Sequence, residues 1–206
     1  MPDRIHSKLD KYCGIVGGAM SIIYEHRDAS IYAVRASGLT VLPHFHSHVE
    51  LVYMLEGQSL ARADYREILL EKGDLFIAFP NQIHGFKDLG PVSCYLLIFP
   101  GDLCPDFTAL LQSHLPESPI LKRHQRSDDN ILPAIQALCL GQHAGQPYGD
   151  AIAKGYFTIL LGSLLGQMTL KKVASDNMDT VRRIFRYCHD HYQQDLSLDM
   201  LESELN

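Results

Sequence analysis

The pattern of hydrophobic and polar positions changes rhythm near residue 105. Before it, short runs rich in β-branched and aromatic residues recur at intervals of roughly ten, a spacing that predicts an all-β sandwich or barrel. The runs are MSIIY (20–24), SIYAVRA (30–36), ELVYMLE (50–56), LARADY (60–65), DLFIAF (74–79) and SCYLLIF (93–99). Gly57, Gly73, Pro80-Asn81, Gly90-Pro91 and Pro100-Gly101 separate them. The tetrapeptide EKGD (71–74) reads as a turn with Gly73 at positive φ.

Beyond residue 105 the period is helical. Asp128-Asp129 open a predicted helix that runs to Leu140, with Pro133 near its first turns and Gly141 as its C-cap. A longer helix is predicted from about Asp150 to Lys171. Phe157, Leu160, Leu161, Leu164, Leu165 and Met168 recur at helical spacing, and Ile152, Tyr156 and Ile159 add a second stripe. A helix apolar around most of its girth needs partners on two sides. One side can be the β domain. The other can be the same helix of a second subunit, approached closely over Gly155, Gly162 and Gly166, or both faces can be buried within the monomer.

Composition narrows the class. The chain has 206 residues, 46% hydrophobic and 20% charged, which is a folded domain or a domain and part of another. Eighteen Lys and Arg against 24 Asp and Glu give a net charge of −6, whereas a complete DNA-binding domain usually carries a basic excess. The uncharged stretch between Lys154 and Lys171 is interrupted by Gly162, Ser163, Gly166 and Gln167, so no membrane span is expected. The N-terminus MPDRIHSKLDKYCG has no apolar core of signal-peptide type. Five scattered cysteines (Cys13, Cys94, Cys104, Cys139, Cys188) without a CxxC spacing fit reduced thiols in a cytoplasm.

The chemically dense segment is GLTVLPHFHSHVELVYMLEG (38–57). On a strand, residues two and four apart share a face, so His44, His46 and Glu50 project together if no bulge intervenes. Two imidazoles and a carboxylate, joined by His84 from beyond the next strand, form a ligand set suited to Fe, Mn, Ni or Zn. The same side chains can instead hydrogen-bond an organic ligand, or serve structure alone. His48 shares their parity and reads as a neighbour. The stretch resembles the first motif of the cupin superfamily: Gly38, five residues, His44-x-His46, three residues, Glu50, six residues, Gly57. The second motif is met more loosely by Gly73, Pro80 and His84, with Gln82 where glycine is expected. The resemblance implies a double-stranded β-barrel (jelly roll) with His44, His46, Glu50 and His84 directed into its pocket.

The tail VRRIFRYCHDHYQQDLSLDMLESELN (181–206) resembles the opening of the DNA-binding domain of AraC/XylS-type transcriptional regulators. Ile184, Tyr187, His191 and Tyr192 match the first helix of that domain. Leu196, Ser197, Leu198, Leu201 and Leu205 match the start of its helix-turn-helix, with Ser197 placed as an N-cap. The resemblance divides the chain into a cupin-like sensing barrel (1–105), a helical linker and dimerisation region (106–175), and the beginning of a helix-turn-helix domain (176–206). The expected fold class is α+β. The function it implies is the effector-sensing, dimerising part of a bacterial regulator, without catalysis, that takes a small-molecule effector and forms a homodimer. DNA binding would belong to the full-length protein, because the chain stops at Asn206 before any recognition helix and reads as a fragment of a longer product. The alternative is a stand-alone metal-dependent cupin enzyme of dioxygenase or isomerase type.

Overall fold

A computed structural model describes residues 12–14, 22–28, 30–63, 66–172, 184, 187, 188, 191 and 196–205. The tail segment expected as the first helix of the DNA-binding domain therefore lies largely outside the described residues. Ten strands come first: β1 (Tyr12–Gly14), β2 (Ile23–Glu25), β3 (Tyr32–Ser37), β4 (Val41–Phe45), β5 (His48–Glu56), β6 (Gln58–Ala63), β7 (Arg66–Glu71), β8 (Leu75–Ala78), β9 (His84–Asp88) and β10 (Ser93–Pro100). There follow α1 (Pro105–Ser113), β11 (His114–Pro116), β12 (Ile120–Leu121), α2 (Ile131–Cys139), α3 (Gly149–Leu165), β13 (Leu170–Lys172) and α4 (Leu198–Leu205).

Two sheets face each other as a cupin-like jelly roll. One has the order β1-β2-β4-β9-β6-β7 and the other β12-β8-β5-β10-β3, with mostly antiparallel pairing. The short β2 is an exception: it runs parallel to β4, with Ile23 opposite His44 and Tyr24 opposite Phe45. In the space between the sheets lie Val52, Met54, Ala61, Ala63, Leu70, Phe76, Ala78, Phe86 and Cys94.

A second core lies on the other side of the five-stranded sheet. Val49, Leu51 and Tyr53 of β5 join Leu75, Ile77, Leu97 and Phe99 there, under Ile131, Ile135 and Leu138 of α2 and Phe157, Leu160, Leu161 and Leu164 of α3. β5 is thus buried on both faces, which is why its sequence is a nearly unbroken apolar run rather than an alternating one. Its odd residues face the helices and its even ones, Glu50 among them, face the barrel interior.

A polar latch ties the helices to the barrel. The Arg126 side chain, wholly buried, donates to Asp128 Oδ1 (2.8 Å), to the Leu121 carbonyl (2.8 Å) and to the Gly73 carbonyl, and lies 5.2 Å from the centroid of the Tyr53 ring. Tyr53 in turn donates to Asp128 (3.1 Å), and Lys122 pairs with the buried Asp74 at 2.7 Å.

Several element boundaries differ from the sequence expectation. The long helix ends at Leu165 rather than near Lys171. There the Gln167 side chain donates to the Ser163 and Ser127 carbonyls, and Leu170–Lys172 leave to pair with β11. Its second stripe is only partly covered: Ile152 and Tyr156 are half-buried and Ile159 is exposed. The shorter helix stops at Cys139, with Gly141 at φ +64° just beyond it. Gly73 adopts φ +84°, as its turn requires. Among the described residues no helix is long and apolar enough to cross a membrane.

Candidate metal centre and effector site

The four residues singled out in the sequence converge. One donor atom from each of His44, His46, Glu50 and His84 can be chosen so that all lie within 4.8 Å of one another, and all four side chains are buried. Among the described residues no other such cluster occurs. How they meet corrects the expectation of a single strand face. β4 belongs to one sheet and β5 to the other, so the chain crosses between sheets at His46-Ser47. His44 and His46 reach the site from one wall, and Glu50 from the opposite one. His84, at the start of β9, pairs directly with His44 across the sheet.

The rings are held from behind. Nδ1 of His44 lies 3.0 Å from the Leu42 carbonyl, that of His46 3.1 Å from the His48 carbonyl, and that of His84 2.8 Å from the Gln82 carbonyl. A carbonyl only accepts, so Nδ1 carries the proton in each ring and donates it. Each ring is thereby oriented so that its other nitrogen, Nε2, is free for the centre, and those of His46 and His84 face Glu50. There, Nε2 of His46 stands 3.2 Å and that of His84 3.4 Å from Glu50 Oε2. The ring centroids are 4.3 Å (His44–His84), 4.9 Å (His46–His84) and 5.5 Å (His44–His46) apart.

Electrostatics follow from this packing. Burial pushes His44 and His46 down to about 4, which keeps both rings neutral near pH 7. Burial also works against charge on Glu50 and His84, but their mutual attraction, the hydrogen-bonding contact of His46 with Glu50 and the hydrogen bond of His84 to the Gln82 carbonyl together outweigh it. Glu50 is held well below the usual carboxylate range and His84 is raised. Nε2 of buried His84 nevertheless has no hydrogen bond of ordinary geometry. Three imidazoles and a carboxylate gathered this closely in a buried space, with Nε2 of His84 left without a hydrogen bond, are a set that a cation completes, so the residues fit a metal ion.

His48 stands outside the cluster, its ring 6.1 Å from that of His46, as its position outside the motif spacing suggested. Burial lowers its pKa. It borders a cleft of 330 Å³ with Arg27, Ser47, Pro80, Pro100, Gly101, Asp102 and Gln112.

Two residues at the site were not anticipated from the sequence. Glu25 Oε2 lies 3.7 Å from Nε2 of His44, and Arg27 holds the same carboxylate at 2.9 Å (Oε1) and 3.1 Å (Oε2). Nothing in the YEHRD stretch (24–28) marks them; they arrive because β2 runs beside β4.

Comparison with known proteins agrees with this architecture. A family model described as the AraC-like ligand binding domain matches residues 28–161, running beyond the barrel into α3. No curated protein matches the chain. Among solved structures, ToxT from Vibrio cholerae O395, bound to (E)-4-(8-methylnaphthalen-1-yl)but-3-enoic acid, aligns with TM-score 0.56 and 9% identity over 85% of this chain and 71% of that one. A second ToxT crystal form gives TM-score 0.54 and 9% identity over 85% and 70%. A predicted oxalate decarboxylase from Thermotoga maritima aligns at TM-score 0.30 and 16% identity over 33% of this chain and 64% of that one. At such identities the likeness is one of fold. The family match covers more than half of the sequence and the fold agrees with it, so the chain belongs to the family of AraC-like ligand-binding domains.

Proposed function

We propose that this chain is the effector-sensing and dimerising portion of an AraC-family transcriptional regulator rather than an enzyme. In this reading its barrel holds a divalent transition metal, Fe, Mn, Ni or Zn, through His44, His46, Glu50 and His84. The observation that carries the metal reading is the buried convergence of three Nδ1-tethered imidazoles on one carboxylate. Such an ion would supply a Lewis-acidic site for an oxygen-bearing effector. The chain's own residues fix the imidazole tautomers, exclude water and hold the counter-charge. The same donors suit a metal-dependent cupin enzyme; the match to a ligand-binding family favours the sensor. That ToxT has been solved with an organic acid bound supports an organic effector here.

The route from site to output is linkage. β5 presents Glu50 to the barrel and its alternate residues Leu51 and Tyr53 to the helical core, so a shift of β5 is felt on both faces. The half-open face of α3, with Ile159, Gly155 and Gly162 exposed, would meet the same helix of a second copy. In α4 the Ser197 hydroxyl accepts from the Met200 amide (3.3 Å), the N-cap expected of a helix-turn-helix start. DNA would be read by the full-length protein.

Hydrogen–deuterium exchange before and after loading with Zn(II) or Mn(II), with His46→Ala as control, tests the sensor reading. Slower exchange is expected in β4, β5 and β9 and also in α2 and α3, with no response in the variant. Protection confined to the three strands would contradict coupling to the helices.

A further inference from the structure

The Glu25 carboxylate occupies an unusual seat. Arg27 grips it side-on, with Nη2 2.9 Å from Oε1 and Nε 3.1 Å from Oε2, and that same Oε2 faces Nε2 of buried His44 at 3.7 Å. A carboxylate therefore already fits between the guanidinium and the imidazole cluster. The one that sits there belongs to a strand of three residues, tied to β4 by two residue pairs, and is about a quarter exposed. Arg27 also borders the 330 Å³ cleft, which Pro80, Pro100 and Gly101 line together with the polar His48, Gln112 and Asp102. That volume lies at the small end of ligand pockets. The Arg27 side chain is a quarter exposed while Glu25 holds its guanidinium.

We propose that Arg27 anchors the carboxylate of a small organic acid whose body lies in this cleft, and that Glu25 is the internal carboxylate the ligand replaces. The inference rests on the chain being an effector sensor and names the chemical class of an effector held in the cleft beside the histidine cluster; it does not require the metal. A bidentate guanidinium–carboxylate pair is the strongest polar contact this seat offers, and an amide of the same shape forfeits it.

Isothermal titration of the whole chain with benzoate and malonate, each against its amide, tests the proposal, once with Zn(II)-loaded protein and once after chelation. Wild type is expected to prefer each acid over its amide by about tenfold or more. Arg27→Met should abolish that preference and Arg27→Lys should restore part of it. Glu25→Gln removes the competitor and should tighten acid binding several-fold, a gain that a merely structural Glu25–Arg27 pair would not produce. Far-ultraviolet circular dichroism checks the fold of each variant, and if Arg27→Met does not fold, the sign of the Glu25→Gln effect decides. Unchanged acid preference in Arg27→Met, weaker acid binding in Glu25→Gln, or no acid binding by wild type at about 10 mM would overturn the proposal. Binding of acids without uptake of Zn(II) would count against the metal reading alone.

Discussion

At the scale of single residues, backbone geometry and burial make the firmest demands. Gly57 sits at φ +84° where an added Cβ would collide with the Pro91 carbonyl oxygen, whereas Gly38 at φ +103° has room, its nearest neighbour being Asp88 Oδ2 at 3.7 Å. Gly38→Ala should therefore lose only the strain of a positive φ, about 1–3 kcal/mol, and Gly57→Ala clearly more, read as midpoints of urea unfolding. Cys94 and Cys139 are pushed up to about 12, chiefly by burial. At pH 8 only about one in ten thousand of each is then thiolate, so iodoacetamide should label them after unfolding and not before. The four site residues were legible because motif spacing is a property of the chain itself. Glu25 and Arg27 were not, because their place depends on β2 lying parallel to β4, with Ile23 opposite His44. No local pattern encodes that pairing.

At the scale of elements, the joint between barrel and helices rests on Arg126. Its guanidinium is wholly buried, and its partners come from the β7–β8 turn, the end of β12 and the segment before α2. Arg126→Met leaves the Leu121 and Gly73 carbonyls without their donor and Asp128 with Tyr53 alone, and should cost about 2–3 kcal/mol, measured by urea unfolding. Phe157, fully buried with its ring 4.6 Å from that of Phe99, is the apolar counterpart, and Phe157→Ala should cost ~3–5 kcal/mol. β2, β3, β5, β6, β8 and β10 were visible from their β-branched and aromatic runs. The very short strands, β9 (His84–Asp88) and β7 (Arg66–Glu71) were not; the sequence REILLE of β7 carries charge at both ends and it lies at the edge of its sheet. The division of 41–56 into β4 and β5 also escaped the sequence reading. A chain crossing from one sheet to the other keeps the same inward-facing residue types as a single strand would. The helix expected to reach Lys171 was cut short by tertiary demands, Gln167 bonding to Ser127 and Leu170 pairing with Pro116.

At the scale of the whole molecule, the β5 strand is shared between a buried histidine–carboxylate cluster and a helical layer. The proposed dimerisation through α3 predicts that sedimentation velocity will show a dimer, and that Ile159→Glu, which places a charge on the exposed stripe, will yield a folded monomer. A wild-type monomer at high concentration would remove the dimerising role. The central claim is that His44, His46, Glu50 and His84 together hold one metal ion. Native mass spectrometry of the Zn(II)-loaded chain tests it most directly, with His46→Ala and His84→Ala run beside it. One ion per wild-type chain and none in either variant is the expected result; wild type without a bound ion, or variants that bind as wild type does, would rule the four-residue site out.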